Sequence, residues 1–291
     1  MDLLARLAAG PIVGDGAMGT MLQARGLESG MPPDLLNLEE PGAVGEIHAA
    51  YVEAGAEYLE TNTFGANRLK LGVHGLADRL SEIIMRGVEV ARRAAGSTCM
   101  VAGSVGPTGK LLEPYGDTPH ASVREAYGEV ATLMERAGID FFLIETMTDL
   151  EEARIAVRAA REASAKPVVA TSVFAKGAKG YRTIMGKSPE ETALALVDVG
   201  ATFVGTNCSS GMDDAVEIMK TMTAASRAAI VAQPNAGIPR MEGGALVYPE
   251  TPFAMASDVP RLVALGVRML GGCCGTTPDH IKAMASALER L

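Results

Sequence analysis

Apolar positions along the chain switch repeatedly between two spacings. Short apolar runs of strand length lie at Ile12-Val13-Gly14-Asp15, Met100-Val101-Ala102-Gly103, Val168-Val169-Ala170-Thr171 and Ile230-Val231-Ala232-Gln233. Four further runs belong to a weak internal repeat. The stretch Ala54–Asn62 recurs in form at Ala137–Thr146, Val199–Cys208 and Leu265–Cys273. Each copy has a Gly in second place (55, 138, 200, 266), which reads as the C-terminal cap of a helix, then an apolar run that ends on a polar tip. Between the runs, apolar residues fall at helical spacing over 42–54, 81–95, 120–137, 149–163, 188–199, 211–224, 257–265 and 277–290. Eight strands alternating with eight amphipathic helices predict an α/β fold, a (β/α)8 TIM barrel forming one domain over 1–291. The repeat copies become strands 2, 4, 6 and 8. The longest non-periodic segments, 18–38, 175–187 and 236–251, then follow strands 1, 5 and 7, on the face where barrels carry their chemistry.

Composition narrows the function classes. The 291 residues are 48% hydrophobic, enough for a sizeable core and close to the roughly 250 residues of an α/β barrel. A net charge of −9 and a pI near 5.1 argue against nucleic acid or an anionic membrane as partner. The N-terminus lacks the layout of a signal peptide, and no apolar stretch approaches the roughly 20 residues of a membrane span. Four cysteines make no disulfide framework, which leads to the expectation of a cytoplasmic enzyme with reduced thiols.

Three of those cysteines change the picture. Gly271-Gly272-Cys273-Cys274-Gly275 ends the eighth run, and Cys208 ends the sixth in Gly205-Thr206-Asn207-Cys208. Strand ends of equal parity contribute to the same barrel layer, so these thiols flank strand 7 from both sides. A regular strand points adjacent side chains to opposite faces, and the flanking Gly272 and Gly275 permit the bend that aims both sulfurs at one ion. Three thiolates fill all but one corner of a zinc tetrahedron, and an open corner marks a catalytic site. Cys99 reads instead as a small buried hydrophobe. Asn235, at the end of strand 7 between the cysteine-bearing strands, is a candidate fourth zinc ligand when substrate is absent, with water or a purely loop-capping Asn as alternatives.

Other strand ends carry polar chemistry. The segment Asp15-Gly16-Ala17-Met18-Gly19-Thr20 exposes backbone N–H groups suited to an anion, or is an ordinary Gly-rich turn. Glu145 precedes the helix-capping Asp149, and is either a partner of the helix dipole or a carboxylate aimed at a substrate ammonium. Ser104, in Gly103–Gly109, offers a hydroxyl donor or lies in a segment that merely turns the chain.

In order along the chain, Asp-Gly-Ala-Met-Gly-Thr (15–20), Glu-Thr-Asn-Thr-Phe-Gly-Ala-Asn (60–67), Gly-Pro-Thr-Gly (106–109), Glu-Thr (145–146), Gly-Thr-Asn-Cys (205–208), Pro-Asn-Ala-Gly (234–237) and Gly-Gly-Cys-Cys-Gly-Thr-Thr-Pro (271–278) resemble the homocysteine S-methyltransferase family. Within it the likeness is to the homocysteine-binding barrels of the cobalamin-dependent methionine synthases, and it covers essentially the whole chain. The resemblance implies that Cys208, Cys273 and Cys274 hold Zn²⁺, and that Asp15–Thr20, Ser104 and Glu145 hold the amino-acid end of homocysteine. It implies methyl transfer to the homocysteine thiolate, giving methionine, from methylcobalamin or a methylcorrinoid protein. The chain lacks Trp and stops about one helix after Cys274, which counts against a betaine donor. No Asp-x-His-x-x-Gly corrinoid motif is present, so the corrinoid is expected from another chain or another part of a longer protein. The alternatives are S-methylmethionine or another small onium donor, a non-catalytic subunit that binds homocysteine or a corrinoid protein, and a sugar-phosphate barrel with Gly271–Thr277 as its phosphate loop.

Overall fold

A computed structural model describes residues 2–28, 30–243 and 245–291. Eight parallel strands form its central sheet: β1 (Ile12–Val13), β2 (Tyr58–Glu60), β3 (Met100–Val105), β4 (Phe141–Met147), β5 (Val168–Ser172), β6 (Phe203–Asn207), β7 (Ala229–Gln233) and β8 (Met269–Leu270). Neighbours run β1-β8-β7-β6-β5-β4-β3-β2, and a parallel bridge between Gly14 and Tyr58 joins the two ends into a barrel. Each strand leads to an outer helix: α1 (Pro41–Glu53), α2 (Leu80–Ala95), α3 (His120–Ala137), α4 (Leu150–Ala163), α5 (Pro189–Asp198), α6 (Met212–Ala225), α7 (Pro252–Ala264) and α8 (Pro278–Leu288). The (β/α)8 TIM barrel expected from the periodicity is thus the fold.

Strand alternation builds two cores. Ile12, Tyr58, Met100, Phe141, Val169, Val231 and Met269 point into the barrel, while Val13, Leu59, Val101, Phe142, Val168, Ala232 and Leu270 face the helices. The predicted caps at Gly55, Gly138, Gly200 and Gly266 all have positive φ (99°, 84°, 104° and 95°), the conformation that spares only glycine a Cβ clash. Leu3–Ala9, a helix capped by Asp2, packs Leu3 and Leu7 into the inner core, and the Leu7 carbonyl accepts from Arg268 Nη2 at 2.6 Å. It covers the end of the barrel opposite the βα loops.

Two details depart from the periodicity. Helix α7 begins five residues before the expected 257, because Thr251 caps it and Pro252 occupies the first turn, where its missing N–H costs nothing. The long loops after β5 and β7 each contain a small antiparallel hairpin, Ala175–Gly177 with Gly180–Arg182 and Arg240–Glu242 with Ala245–Val247. No described helix is long and apolar enough to cross a membrane.

Candidate metal and amino-acid site

The chain ends of β6, β7 and β8 are laced together by backbone hydrogen bonds. Cys208 N donates to Gln233 O (3.1 Å), Cys273 N to Pro234 O (2.8 Å), Ala236 N to Cys274 O (3.0 Å) and Asn235 N to Ser210 O (2.9 Å). Strand β8 stops at Leu270, so Cys273 and Cys274 lie beyond the regular pleat and need not diverge. Gly275 turns the chain at φ 80° directly beneath the Tyr248 ring, where a Cβ has no room, and Thr276 packs against Gly272. The N–H groups of Gly272, Cys273, Gly275, Thr276 and Thr277 all donate within the protein, which is unlike a phosphate-binding loop.

The result gathers the three thiols. Cys208, Cys273 and Cys274 Sγ all lie within 4.8 Å of one another, and Cys208 and Cys274 are 3.6 Å apart. Zn–S bonds of about 2.3 Å place sulfurs about 3.8 Å apart in a tetrahedron, so the donor set fits that ion. Beside them Asn235, 6% exposed, directs only Nδ2 to a backbone carbonyl (Cys208 O, 3.5 Å), while its buried Oδ1 has no hydrogen-bond partner among the described residues. Asn235 thus carries an unpaired, buried amide oxygen on a side chain held at the Cys208 backbone.

Close packing splits the thiols electrostatically. Donation from Cys208 and Cys273, helped by Tyr248, holds Cys274 down at about 3, the thiolate of the group. A hydrogen bond from Cys273 works against it, yet donation to Cys274 and burial push Cys208 up to about 12. Hydrogen bonding to Cys208 and Cys274, then burial, raises Cys273 well above the ordinary thiol range. Three thiolates this close ionise together only beside a cation. Cys99, by contrast, is buried in the core, and burial pushes its thiol up to about 12.

Across the mouth lie carboxyl groups. Ser104 Oγ donates to Glu145 Oε1 at 2.5 Å, and Asn207 Nδ2 to Glu145 Oε2 at 3.2 Å. Burial, opposed by the Ser104 and Thr146 hydrogen bonds, raises Glu145 to about 7. Both Ser104 and Glu145 line a cavity of about 520 Å³ shared with Gly16–Thr20 and the three cysteines, a size ordinary for a small-molecule site. Asp15 does not line it: its Oδ2 accepts from Glu60 N (3.0 Å), and its buried Oδ1 has no partner among the described residues. Glu60 takes the lining position, with Gln233 Nε2 donating to its Oε1. Burial, then repulsion from Glu145, raises Glu60, and burial chiefly raises Asp15. Glu60 is not among the residues singled out from the sequence. The signal is present, since Glu60-Thr61 closes the first repeat copy as Glu145-Thr146 closes the second.

Two loops sort their residues. In Gly16–Thr20, Ala17 is pinned by Thr276 Oγ1 (3.1 Å) and Tyr51 Oη (2.9 Å), and a short helix, Gly19–Ala24, starts without a side-chain cap. After β3 only Ser104 serves the cavity. Thr108 N and Oγ1 donate to buried Glu152 (2.7 and 2.6 Å), so Gly106–Gly109 turns the chain. A more open depression of about 670 Å³ on the outside, along α2, is lined by Arg and Glu side chains such as Arg86, Glu89 and Arg93 that pair with one another.

Comparison with known proteins identifies the family. Residues 12–288 match the family model for homocysteine S-methyltransferase. Methionine synthases of Mycobacterium leprae (strain TN) and Mycobacterium tuberculosis (strain ATCC 25618 / H37Rv) are each 37% identical over 99% and 100% of the chain, which spans only 25% and 26% of their lengths. The metallated form of the homocysteine methyltransferase MmuM from Escherichia coli superposes with a TM-score of 0.79 at 22% identity, covering 95% of this chain and 96% of that one. A methyltransferase from Methanosarcina mazei follows the same fold at a TM-score of 0.60 and 12% identity, covering 99% and 97%. With seven motifs, a converged thiol trio and a match over nearly its full length, the chain belongs to the homocysteine S-methyltransferase family.

Proposed function

We propose that this barrel transfers a methyl group to the sulfur of homocysteine, giving methionine, with Zn²⁺ held by Cys208, Cys273 and Cys274. The observation that carries the reading is one cavity with three thiols on one wall and a buried carboxyl, Glu145, on another. The metal, when bound, lowers the pKa of a coordinated substrate thiol so that the sulfur is a thiolate at neutral pH. Glu145 receives the ammonium, oriented by Ser104, and Glu60 adds negative charge to the same wall. The Gly16–Thr20 loop, which lines the same cavity, receives the carboxylate. Asn235, whose buried Oδ1 has no partner among the described residues, would offer a neutral fourth donor that a substrate thiol could displace. In the transfer the carbon–donor bond breaks as the carbon–sulfur bond forms, and the thiol proton has already left to solvent.

The donor is methylcobalamin on a corrinoid protein or module outside this chain, a reading supported by 37% identity to methionine synthases several times longer. The need to keep four cysteines reduced fits a cytoplasmic setting. The test is a donor panel on zinc-loaded protein with homocysteine: methylcobalamin, S-methylmethionine and betaine, with methionine as readout and thiol-alkylated protein as control. Methionine from methylcobalamin alone is the expected result. Turnover with S-methylmethionine instead replaces the donor, and no turnover with any donor overturns the enzymatic reading in favour of a binding subunit.

A further inference from the structure

One side chain ties the two walls of the cavity together. Asn207, the last residue of β6, is 1% exposed. Its Oδ1 accepts from Thr146 N and from Thr171 Oγ1, both at 2.8 Å. Its Nδ2 donates to Thr146 Oγ1 (2.7 Å) and Glu145 Oε2 (3.2 Å), and stands 4.0 Å from Cys273 Sγ. A single planar amide therefore touches the strand ends of β4 and β5, the carboxyl group on one wall and a thiol on the other.

The backbone on either side of this amide is strained. Among the described residues only two other than glycine have positive φ: Thr146 (60°), which follows Glu145, and Cys208 (52°), which follows Asn207. β-branched threonine is a costly occupant of that region, and such conformations persist only where the surroundings over-determine them. Asn207 supplies the determination for Thr146 by binding its N–H and its hydroxyl at once. Glu145 and Cys273 lie on strands far apart in sequence, so their separation is set by this bridge and by the barrel that carries it.

We propose that Asn207 is a positioning residue that fixes the distance between the Glu145 carboxylate and the thiol cluster, and so selects the chain length of the amino-acid thiol. A ligand whose ammonium meets Glu145 and whose sulfur joins the cysteines must match that distance. Homocysteine carries one methylene more between its ammonium-bearing carbon and its sulfur than cysteine does, so a spacing fixed for the first leaves the second one methylene short. The inference rests on the reading of the cavity given under Proposed function. A rigid pocket discriminates one methylene by roughly 10–200-fold, and that discrimination disappears when the spacing relaxes.

The test is calorimetric binding of L-homocysteine and L-cysteine to zinc-loaded protein, with zinc stoichiometry and melting temperature measured alongside. Wild type should prefer homocysteine. In Asn207→Ala the preference should fall by roughly tenfold, through weaker homocysteine binding, with zinc retained. Asn207→Asp keeps the acceptor that holds Thr146 and Thr171 and loses both donated contacts, so it should lose the preference even if the alanine variant is unstable. Thr171→Val frees one anchor of the amide outside the cavity and should lower the preference by a few-fold. An unchanged homocysteine-to-cysteine ratio in the folded variants, or equal weakening of both ligands, overturns the proposal. Failure of wild type to bind homocysteine overturns the underlying functional reading instead.

Discussion

The two walls of the cavity are built on opposite principles. On the β6–β8 side, soft sulfur atoms crowd within 4.8 Å, and the Asn235 amide oxygen, on a side chain held at the Cys208 backbone, has no partner among the described residues. On the β1–β4 side, Glu60 and Glu145 bring hard oxygen acceptors into the mouth with Asp15 buried behind Glu60, and all three are raised by burial first. Each wall suits a different cation. The thiol wall suits one that binds sulfur, and the carboxyl wall one that donates hydrogen bonds. A molecule carrying both a thiol and an ammonium is complementary to the pair, and neither wall alone defines it.

The sharpest break of this division is at the thiols. Cys273→Ser should lose most of the zinc and lower methyl transfer by more than the roughly 10–100-fold typical of losing an outer-shell partner, as measured by metal analysis and methionine formation. Stoichiometric zinc in that variant removes the assignment. Next is the carboxyl wall. Glu145→Gln should weaken homocysteine binding by about 2–5 kcal/mol, the usual cost of breaking a buried charge-assisted pair, with zinc content normal. An unchanged dissociation constant returns Glu145 to a helix-start acid.

The walls should also differ in their response to pH. Glu145 is raised from an ordinary 4.5 to about 7, so between those values the folded state keeps a proton that the unfolded chain has released. Its contribution to stability is therefore fully present below pH 4.5 and is lost as pH rises through 7, a change on the order of 3 kcal/mol. Denaturant titrations of metal-free protein should show this decline between pH 5 and 7, and Glu145→Gln should make it shallower, leaving the part that buried Asp15 and Glu60 contribute. Equal slopes in the two proteins rule out a buried, protonated Glu145. The smallest effect is expected at Asn235. X-ray absorption of the substrate-free zinc form should show three sulfurs and one light atom, becoming four sulfurs with homocysteine. Four sulfurs beforehand sink the displacement idea, and an unaltered resting spectrum in Asn235→Ala makes water the light atom.

Much of this was legible in the residues because it rests on periodicity and on rare residue types. The eight apolar runs and the four capping glycines lead directly to the barrel, and adjacent cysteines between glycines locate the thiol wall. The hairpins at 175–182 and 240–247 were not legible, since their residues are largely exposed and carry no apolar alternation. The start of α7 was hidden because Pro252 reads as a breaker unless Thr251 is recognised as its cap. The division of labour between Asp15 and Glu60 is tertiary: which carboxyl faces the cavity depends on Glu60 N and Gln233 holding them from different strands.

The closure of the barrel has a dynamic consequence. Strands β1 and β8 have two residues each, and β1 meets β2 through a single bridge with the Asp15 N–Tyr58 O and Glu57 N–Val13 O bonds beside it. The opposite wall, β3 to β6, is held by longer registers. Opening fluctuations follow the shortest ladder, so amide hydrogen exchange should be fastest along the β1–β2 seam. The loop that follows β1, Gly16–Thr20, hangs from that seam, whereas Ser104 and Glu145 sit on the well-bonded wall. Exchange fastest along this seam would divide the barrel into a stiff half and a compliant half, with ligand entry and exit timed by the compliant one.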